Sequence, residues 1–307
     1  MQSVKNKNDD EIDLTELLSA LWKGKFIVLA LVFVCSAASV FYALSLPNIY
    51  RSSVSLTVAG ESQGGLGAKL NSQFGGLAAM AGVNLGSGST DKSELAIEII
   101  KSRVFISEFI TSNNLKAEIM ATIGWDPASN TLIYDSDIYN PILNTWVREV
   151  EFPRVAEPSD QELYEKFISK HLVIDTDEKK RMTYISIFHV SPYVAKEIAD
   201  KLVVAINNKI KQDDIAEANS SIHYLTAALQ ETSIADMQKI FYELIEQQEQ
   251  TKMLANARDE YVFKVIDPAI VAELKDSPKR AVICVFGSIA GFVFGCMIVL
   301  VRFYFRR

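Results

Sequence analysis

Cysteine is scarce in this 307-residue chain, which contains only three. All three lie inside two long apolar runs: Cys35, Cys284 and Cys296. Residues 47–280 therefore contain no cysteine and can form no disulfide, even in an oxidising compartment. The three cysteines are best interpreted as small apolar residues.

Motifs of catalysis and of metal or nucleotide binding are also absent from the sequence. There is no Walker motif and no nucleophile elbow, and none of the three histidines has ligand partners at a metal-binding spacing. His171, beside Asp175 and Asp177, is typical of a solvated strand and turn. Residues 60–90 hold nine of the 14 glycines but match neither the P-loop nor the dinucleotide fingerprint, so we expect a flexible loop there. We expect no catalytic residue, no cofactor and no metal.

The distribution of charge argues against a nucleic-acid partner. Residues 47–280 contain 24 Lys and Arg against 33 Asp and Glu. An acidic domain of this kind repels the phosphate backbone.

Two apolar runs, residues 26–46 and 281–301, are each 21 residues long and free of charge. At 1.5 Å per residue, each is long enough to cross a hydrocarbon layer of roughly 30 Å. A cleaved signal peptide is the alternative for the first run, but its apolar core is too long. A buried core helix is the alternative for the second run, but basic residues at both of its ends favour a bilayer. The sequence therefore predicts two transmembrane helices.

Basic residues near these runs predict the orientation. Lys23 and Lys25 precede the first span, and Arg302, Arg306 and Arg307 follow the second, which favours both termini in the cytoplasm. Residues 1–25 are predicted to form a cytoplasmic amphipathic segment, with Asp13 as a helix N-cap. Residues 302–307 are expected to be a short cytoplasmic tail without room for a catalytic domain.

The membrane-interface positions predicted at the ends of the spans are Trp22, Lys23, Lys25, Pro278, Lys279 and Arg280.

Residues 47–191 predict an α/β base domain. The segment 50–59 alternates like a strand, and 171–190 has the form of a β-hairpin. Asp91 and Glu94 are predicted to cap one amphipathic helix that runs through Phe109. Residues 124–160 contain four of the eight prolines and are expected to be irregular or short-helical.

Residues 193–267 contain no glycine or proline, an uninterrupted stretch of 75 residues. Apolar residues recur at helical spacing in it, so residues 192–260 predict a long helical arm or coiled coil. One helix and a hairpin that turns near Thr232 and Ser233 both fit the pattern. Residues 261–266 then predict a strand that returns to the base, and residues 261–280 form the approach to the second span.

A face of small residues marks the second span. Gly287, Gly291 and Gly295 recur every four residues, which lets another helix approach closely. We expect them to pack on the first span of the same chain or of a neighbouring subunit. The small residues predicted to face them are Ser36, Ala37, Ser39 and Ala43.

Four segments give the chain a resemblance to a known family: IDLTELLSALWKGK, SELAIEIIKSRVFISEFI, SPYVAKEIADKLVVAINN and MLANARDEYVFKVIDPAIVAELKDSPKRA. They resemble the chain-length determinant (Wzz) family of polysaccharide co-polymerases almost from end to end. The approach to the second span departs from the family's repeated prolines, because Ala272 and Lys275 lie between Pro268 and Pro278.

The resemblance implies a protein of the bacterial inner membrane with a periplasmic domain that assembles into homo-oligomeric rings. Such rings set the modal length of a lipid-linked polysaccharide, such as the O-antigen of lipopolysaccharide, which a separate membrane polymerase makes. An adaptor of capsule or exopolysaccharide export that works with a separate tyrosine kinase, or a two-span sensor, is the alternative. The predicted fold class is an α+β membrane protein with two transmembrane helices around a periplasmic domain.

Overall fold

The computed structural model describes residues 22–59 and 88–305. The predicted cap at Asp13 and the glycine-rich residues 60–87 lie outside the described residues. The chain divides into two compact units. One unit contains the two apolar helices, and the other is Ile49–Lys275.

The apolar runs form helices α1, Lys25–Ser45, and α8, Arg280–Phe305. Both are long and apolar enough to cross a membrane by length and composition. They pack antiparallel, since the N-terminal part of α8 contacts the C-terminal part of α1. The predicted fold class, two apolar helices at the termini around a mixed α/β domain with long helices, is confirmed.

A four-stranded antiparallel sheet organises the larger unit, in the order β6-β7-β1-β8. Its strands are β1, Tyr50–Val58; β6, Leu172–Asp177; β7, Met182–His189; and β8, Phe263–Asp267. The hairpin predicted at 171–190 is present as β6 and β7, and the return strand is present as β8. Alternate residues of β1, including Val54 and Leu56, point into the core, as the period of two requires.

The helix predicted from Asp91 through Phe109 is wrong, because two helices occupy this region. Helix α2, Gly88–Lys101, ends before Ser102, and α3, Arg103–Ser112, begins after it. Ser102 has an extended backbone, and its hydroxyl accepts a hydrogen bond from the Phe105 amide at 3.3 Å. Ser102 is therefore the N-cap of a new helix rather than an interior residue of a longer one.

The expectation of irregular or short-helical structure at 124–160 is also wrong in part, because two small hairpins lie in this region. After the short helix α4, Lys116–Met120, strand β2, Thr122–Asp126, pairs with β3, Thr131–Tyr134. Strand β4, Tyr139–Asn140, then pairs with β5, Thr145–Trp146. Asn130 and Asn144 adopt left-handed backbone angles just before β3 and β5, and asparagine tolerates this conformation well.

Helix α5, Asp160–Lys166, leads from these hairpins to the main sheet. A capping box between Ser159 and Glu162 begins it, and a π-helical turn, Phe167–His171, continues it into β6.

The arm is a helical hairpin rather than a single helix. Helix α6, Pro192–Glu231, begins at the N-cap Ser191 with proline in its first turn. The backbone is extended at Thr232 and Ile234, and α7, Ala235–Ala257, returns toward the base. The end of α7 lies beside α6, since Lys211 Nζ on α6 donates to the carbonyl of Arg258, the C-cap of α7, at 3.2 Å.

The hydrophobic core lies between the sheet and the helices packed on it. The first five turns of α6 contribute one apolar face, which includes Ile198, Leu202 and Ile206, all fully buried. Beyond Ile210 most of α6 is exposed, and among the described residues α7 is its main packing partner there.

Candidate functional site

The glycine face of α8 packs directly on α1 of the same chain. A Cβ atom built on Gly291 would lie 2.8 Å from Cys35 Cβ and 2.9 Å from Val32 Cα. One built on Gly295 would lie 2.9 Å from Val28 Cα, and one on Gly287 would clash with the Ser39 side chain. Contacts under 3.0 Å leave no space for even a methyl group. Within one chain, therefore, the three glycines permit the close approach of the two apolar helices.

Serine hydroxyls supplement this packing. The Oγ atoms of Ser36 and Ser288 lie 2.8 Å apart, at hydrogen-bond distance, and the Ser39 hydroxyl donates to the Ser36 carbonyl at 2.8 Å. In a hydrocarbon environment such paired hydroxyls add cohesion between helices. Ala37, by contrast, is exposed and lies off the contact face.

The end of α1 is tied to the start of α8 by an arginine. Arg280 Nε donates to the carbonyl of Ala43 at 2.9 Å, and its Nη2 donates to that of Leu46 at 3.2 Å. Ala43 itself is buried. The last carbonyls of a helix lack intrahelical partners and bear partial negative charge, so a guanidinium there satisfies them and complements the helix dipole.

The other predicted interface residues lie beside the ends of the two helices. Trp22 is 74% exposed, and the Lys25 ammonium lies 5.2 Å from its ring centroid, a cation–π geometry. Lys23 is exposed as well. Pro278 and Lys279 directly precede α8.

A buried asparagine in the larger unit joins the arm to the sheet. Asn207 lies on α6 and is 4% exposed. Its Oδ1 accepts from the amides of Val262 and Phe263, and its Nδ2 donates to the Phe263 carbonyl, all at 2.9 Å. The Asn207 amide thus forms hydrogen bonds with the backbone at the beginning of β8, as the backbone of a neighbouring strand would. In the sequence, Asn207 is a polar residue between Val203 and Ile210 on an otherwise apolar helix face. This pattern could have indicated the contact, but the sequence analysis did not identify it.

A second set of polar contacts lies one to two turns farther along α6. Lys92 Nζ lies 2.6 Å from Asp214 Oδ2, and the hydroxyl of Tyr261 donates to the same carboxylate oxygen. Lys92 also lies over the Tyr261 ring, 5.6 Å from its centroid. Burial, together with the bonded carboxylate, raises the pKa of Tyr261. The contacts join α2, α6 and the segment before β8.

The expectation of a solvated strand and turn holds for Asp175, which is exposed on β6, but is wrong for His171, which is partly buried at the end of the π-helical turn. Its ring lies 5.8 Å from that of His189, and its Nδ1 lies 2.8 Å from the Phe188 carbonyl. His189 is 1% exposed, and its Nε2 lies 3.1 Å from the Glu118 carbonyl. Burial, and secondarily the neighbouring His189, lowers the pKa of His171 to about 4, and burial also lowers the pKa of His189. Both imidazoles are neutral at physiological pH and fill the junction between α4 and β7.

Arg148 forms several hydrogen bonds that hold the loop between β5 and α5 in place. Its guanidinium binds both carboxylate oxygens of Glu162, at 2.9 and 2.7 Å, and donates to the carbonyls of Val155 and Ala156. Hydrogen bonding by Arg148 lowers the pKa of Glu162 to about 2. The loop is thus fixed even though Phe152 within it is 96% exposed.

Among residues 22–59 and 88–305, no group of three or more His, Cys, Asp or Glu side chains is arranged to hold a metal ion. An open groove of about 400 Å³ beside α3 is lined by both charged and hydroxyl side chains, including Arg103, Glu108 and Asp160.

Comparisons with known proteins give a family for part of the chain. Residues 10–113 match the model of the Wzz family, described as chain length determinant protein. No curated protein matches the chain significantly.

The solved structures that are similar to this chain include two polysaccharide co-polymerases. A full-length bacterial polysaccharide co-polymerase aligns with 96% of this chain and 98% of its own length, at 14% identity and a TM-score of 0.40. A fragment of WzzB, a polysaccharide co-polymerase from Salmonella Typhimurium, aligns with 75% of this chain and 100% of its own length, at 13% identity and a TM-score of 0.30.

The two apolar helices at the termini flank the mixed α/β domain, and the family match spans α1, β1, α2 and α3. Residues 10–113 therefore match the Wzz chain length determinant family, and the rest of the chain lies outside this match.

Proposed function

We propose that this protein is a non-catalytic, oligomeric regulator of polysaccharide chain length in the bacterial inner membrane. It sets the modal length of the O-antigen of lipopolysaccharide, or of a related surface polysaccharide, while a separate membrane polymerase extends the lipid-linked chain. The observation that carries the proposal is the family match over residues 10–113, since this family consists of co-polymerases that are usually non-catalytic.

In the proposed topology α1 and α8 span the membrane, both termini lie in the cytoplasm and residues 49–275 lie in the periplasm. The basic residues Lys23, just before α1, and Lys25, at its start, support it. A cysteine introduced at the exposed tip of the arm, Ser233→Cys, in a chain without its native cysteines tests it. An impermeant maleimide should label this residue in cells with a permeable outer membrane and an intact inner membrane. Labelling only after lysis of the inner membrane would contradict the topology.

Homo-oligomerisation is supported by exposed apolar side chains on α7. Met237, Ile240 and Leu244 recur at helical spacing, and they are 40%, 48% and 39% exposed. An apolar helix face in water gains free energy when another surface covers it. The face is therefore suited to contact a second copy, and the family typically oligomerises.

Introducing charged residues on the apolar face of α7 tests whether this face forms the oligomer interface. Ile240→Glu combined with Leu244→Glu should shift the mass of the detergent-solubilised protein, measured by light scattering, toward the monomer. Lys239→Glu, on an exposed polar position of the same helix, is the matched control and should leave the mass unchanged. An unchanged mass in the double variant would exclude this face from the oligomer interface.

The function is tested by deleting the gene and separating the surface polysaccharide on a gel. Loss of a modal cluster of chain lengths, restored by the wild-type gene, supports regulation of length. Loss of all polymer would instead favour an export adaptor, and an unchanged pattern would refute both functions.

A further inference from the structure

Three aromatic rings, from residues far apart in the chain, lie next to one another at one end of the main sheet. The rings of Tyr50 and Trp125 meet edge to face with centroids 5.8 Å apart, and the ring of Tyr193 lies 6.0 Å from that of Trp125. Tyr50 is the first residue of β1, Trp125 belongs to β2, and Tyr193 lies in the first turn of α6. We call these three residues the aromatic cluster. It brings three separate elements together at the end of the sheet where β1 begins.

The cluster is fixed in place yet reaches the surface. Trp125 Nε1 donates to Asn130 Oδ1 at 2.9 Å across the β2–β3 turn, which sets the orientation of the indole. Tyr193 is 50% exposed, and Tyr50 and Trp125 are only partly buried. The cluster is therefore not part of the hydrophobic core, and its outward surface combines apolar rings with polar edges.

The hairpin that bears Trp125 has almost no charge. Residues 122–134 contain one charged side chain, Asp126. Its carboxylate is engaged within the turn by the Ala128 amide at 3.1 Å and the Ser129 hydroxyl at 2.6 Å. The hairpin therefore brings no positive charge that would attract anions, and its contribution to binding comes from the aromatic ring of Trp125.

The position of Tyr50 in the sequence indicates this partner. Helix α1 ends at Ser45, so only residues 46–49 separate it from Tyr50. A segment that short extends no farther than about 17 Å. If α1 spans the bilayer, Tyr50 emerges in or just beyond the headgroup layer, which is where tyrosine and tryptophan side chains are enriched in membrane proteins.

We propose that the aromatic cluster is a membrane-docking surface that inserts among phospholipid headgroups and orients the folded domain on the bilayer. The partner is the zwitterionic headgroup layer, because the rings provide the contact and the hairpin lacks basic residues. The inference rests on the proposed placement of α1 across the membrane. It adds a second point of membrane contact, formed by the folded domain rather than by the spans.

The chain contains three tryptophans, at positions 22, 125 and 146, which makes the test direct. The full-length protein with Trp22→Phe and Trp146→Phe keeps Trp125 as the only indole. It is reconstituted into phosphatidylethanolamine–phosphatidylcholine vesicles whose lipids bear bromine either on shallow acyl carbons or not at all. Shallow bromination should reduce Trp125 fluorescence to an extent comparable with Trp22 in the corresponding Trp22-only chain, and added salt should not restore it.

The matched negative control is Tyr224→Trp in a chain with all three native tryptophans replaced by phenylalanine. Tyr224 is 72% exposed and lies 31 positions after Tyr193 on α6, about 46 Å along the helix. Bromination should leave this indole unquenched.

The results separate this inference from the proposed membrane placement. Quenching of Trp22 without quenching of Trp125 would overturn the docking surface and leave the spans intact. Absence of quenching at both positions would overturn both. Quenching of Trp125 that disappears as the protein-to-lipid ratio rises would assign the cluster to contact between copies, and would also overturn the proposal.

Discussion

Replacement of Asn207 by alanine should destabilise the larger unit more than any comparable polar truncation on α6. The side chain is buried and makes three hydrogen bonds of 2.9 Å, all to the backbone at the beginning of β8. Alanine would remove all three bonds at once. Two amide groups and one carbonyl would then be left without their partners in the interior.

The expected cost follows from these groups. Each buried polar backbone group left unsatisfied costs about 1–3 kcal/mol, and relaxation recovers part of the sum, so we expect a loss of about 3–5 kcal/mol. Domains of this size are stable by only about 5–15 kcal/mol. The variant should therefore be folded but weakened, with a midpoint of urea unfolding lower by about 1–2 M.

The assay is urea unfolding of the full-length protein in a mild detergent, followed by the fluorescence of Trp125 and Trp146. Asn208→Ala is the matched control, because Asn208 is the next residue on the same helix and is exposed. The control should change the free energy of unfolding by no more than about 0.5 kcal/mol. If the two variants differ by less than about 1 kcal/mol, water or a relaxed backbone replaces the three bonds and the reasoning is refuted.

Three further predictions concern other contacts. Gly291→Leu should separate α1 from α8 and lower the yield of a disulfide between cysteines introduced at Ser36 and Ser288, whose Oγ atoms are 2.8 Å apart, in a chain without native cysteines. The free energy of unfolding should fall by on the order of 3 kcal/mol between pH 7 and pH 4. In the unfolded chain the His171 imidazole gains its proton near pH 6.5, whereas in the folded protein it stays neutral down to about pH 4, so acid stabilises the unfolded chain. Glu162→Gln should free the loop before α5, and trypsin should then cleave after the exposed Arg154 faster.

Each of these has a control and a contrary result. Ala37→Leu, on an exposed face of α1, should leave the disulfide yield unchanged, and an equal yield in both variants would remove the glycines from the helix contact. His171→Gln should make the pH dependence shallower, with the buried His189 still contributing, whereas an unaltered slope would show that His171 does not cause it. Glu165→Gln, on an exposed position of α5, should not alter cleavage. A cleavage rate in Glu162→Gln equal to the wild-type rate would show that Arg148 does not fix the loop.

The elements that could be predicted from sequence are those whose signal extends over many residues. Two uncharged runs of 21 residues allow few alternatives to apolar helices, and the absence of glycine and proline over residues 193–267 identified the arm. The sequence does not determine whether the arm turns, because residues 232–234 are compatible with a helix and only the packing of α7 on α6 decides the outcome. The structure resolves it as a hairpin.

What could not be predicted depends on contacts distant in sequence or on very short elements. Ser102 ends a helix although serine is tolerated inside helices, and strands of two residues at 139–140 and 145–146 are too short to show alternation. The partial burial of His171 depends on its contacts with Phe188 and His189, which nothing near position 171 reveals. The glycine spacing, in contrast, pointed to a contact face, although it could not distinguish a contact within one chain from one between chains.

The hairpin form of the arm has a mechanical consequence. Asn207 bonds α6 to the beginning of β8, α7 leads into β8, and the tip at Thr232 lies about 38 Å beyond Asn207 along the helix. A rotation of only about 5° at Asn207 would therefore displace the tip by about 3 Å, close to the length of a hydrogen bond. Because Asn207 is bonded to Val262 and Phe263, any such rotation of α6 would also displace the beginning of β8.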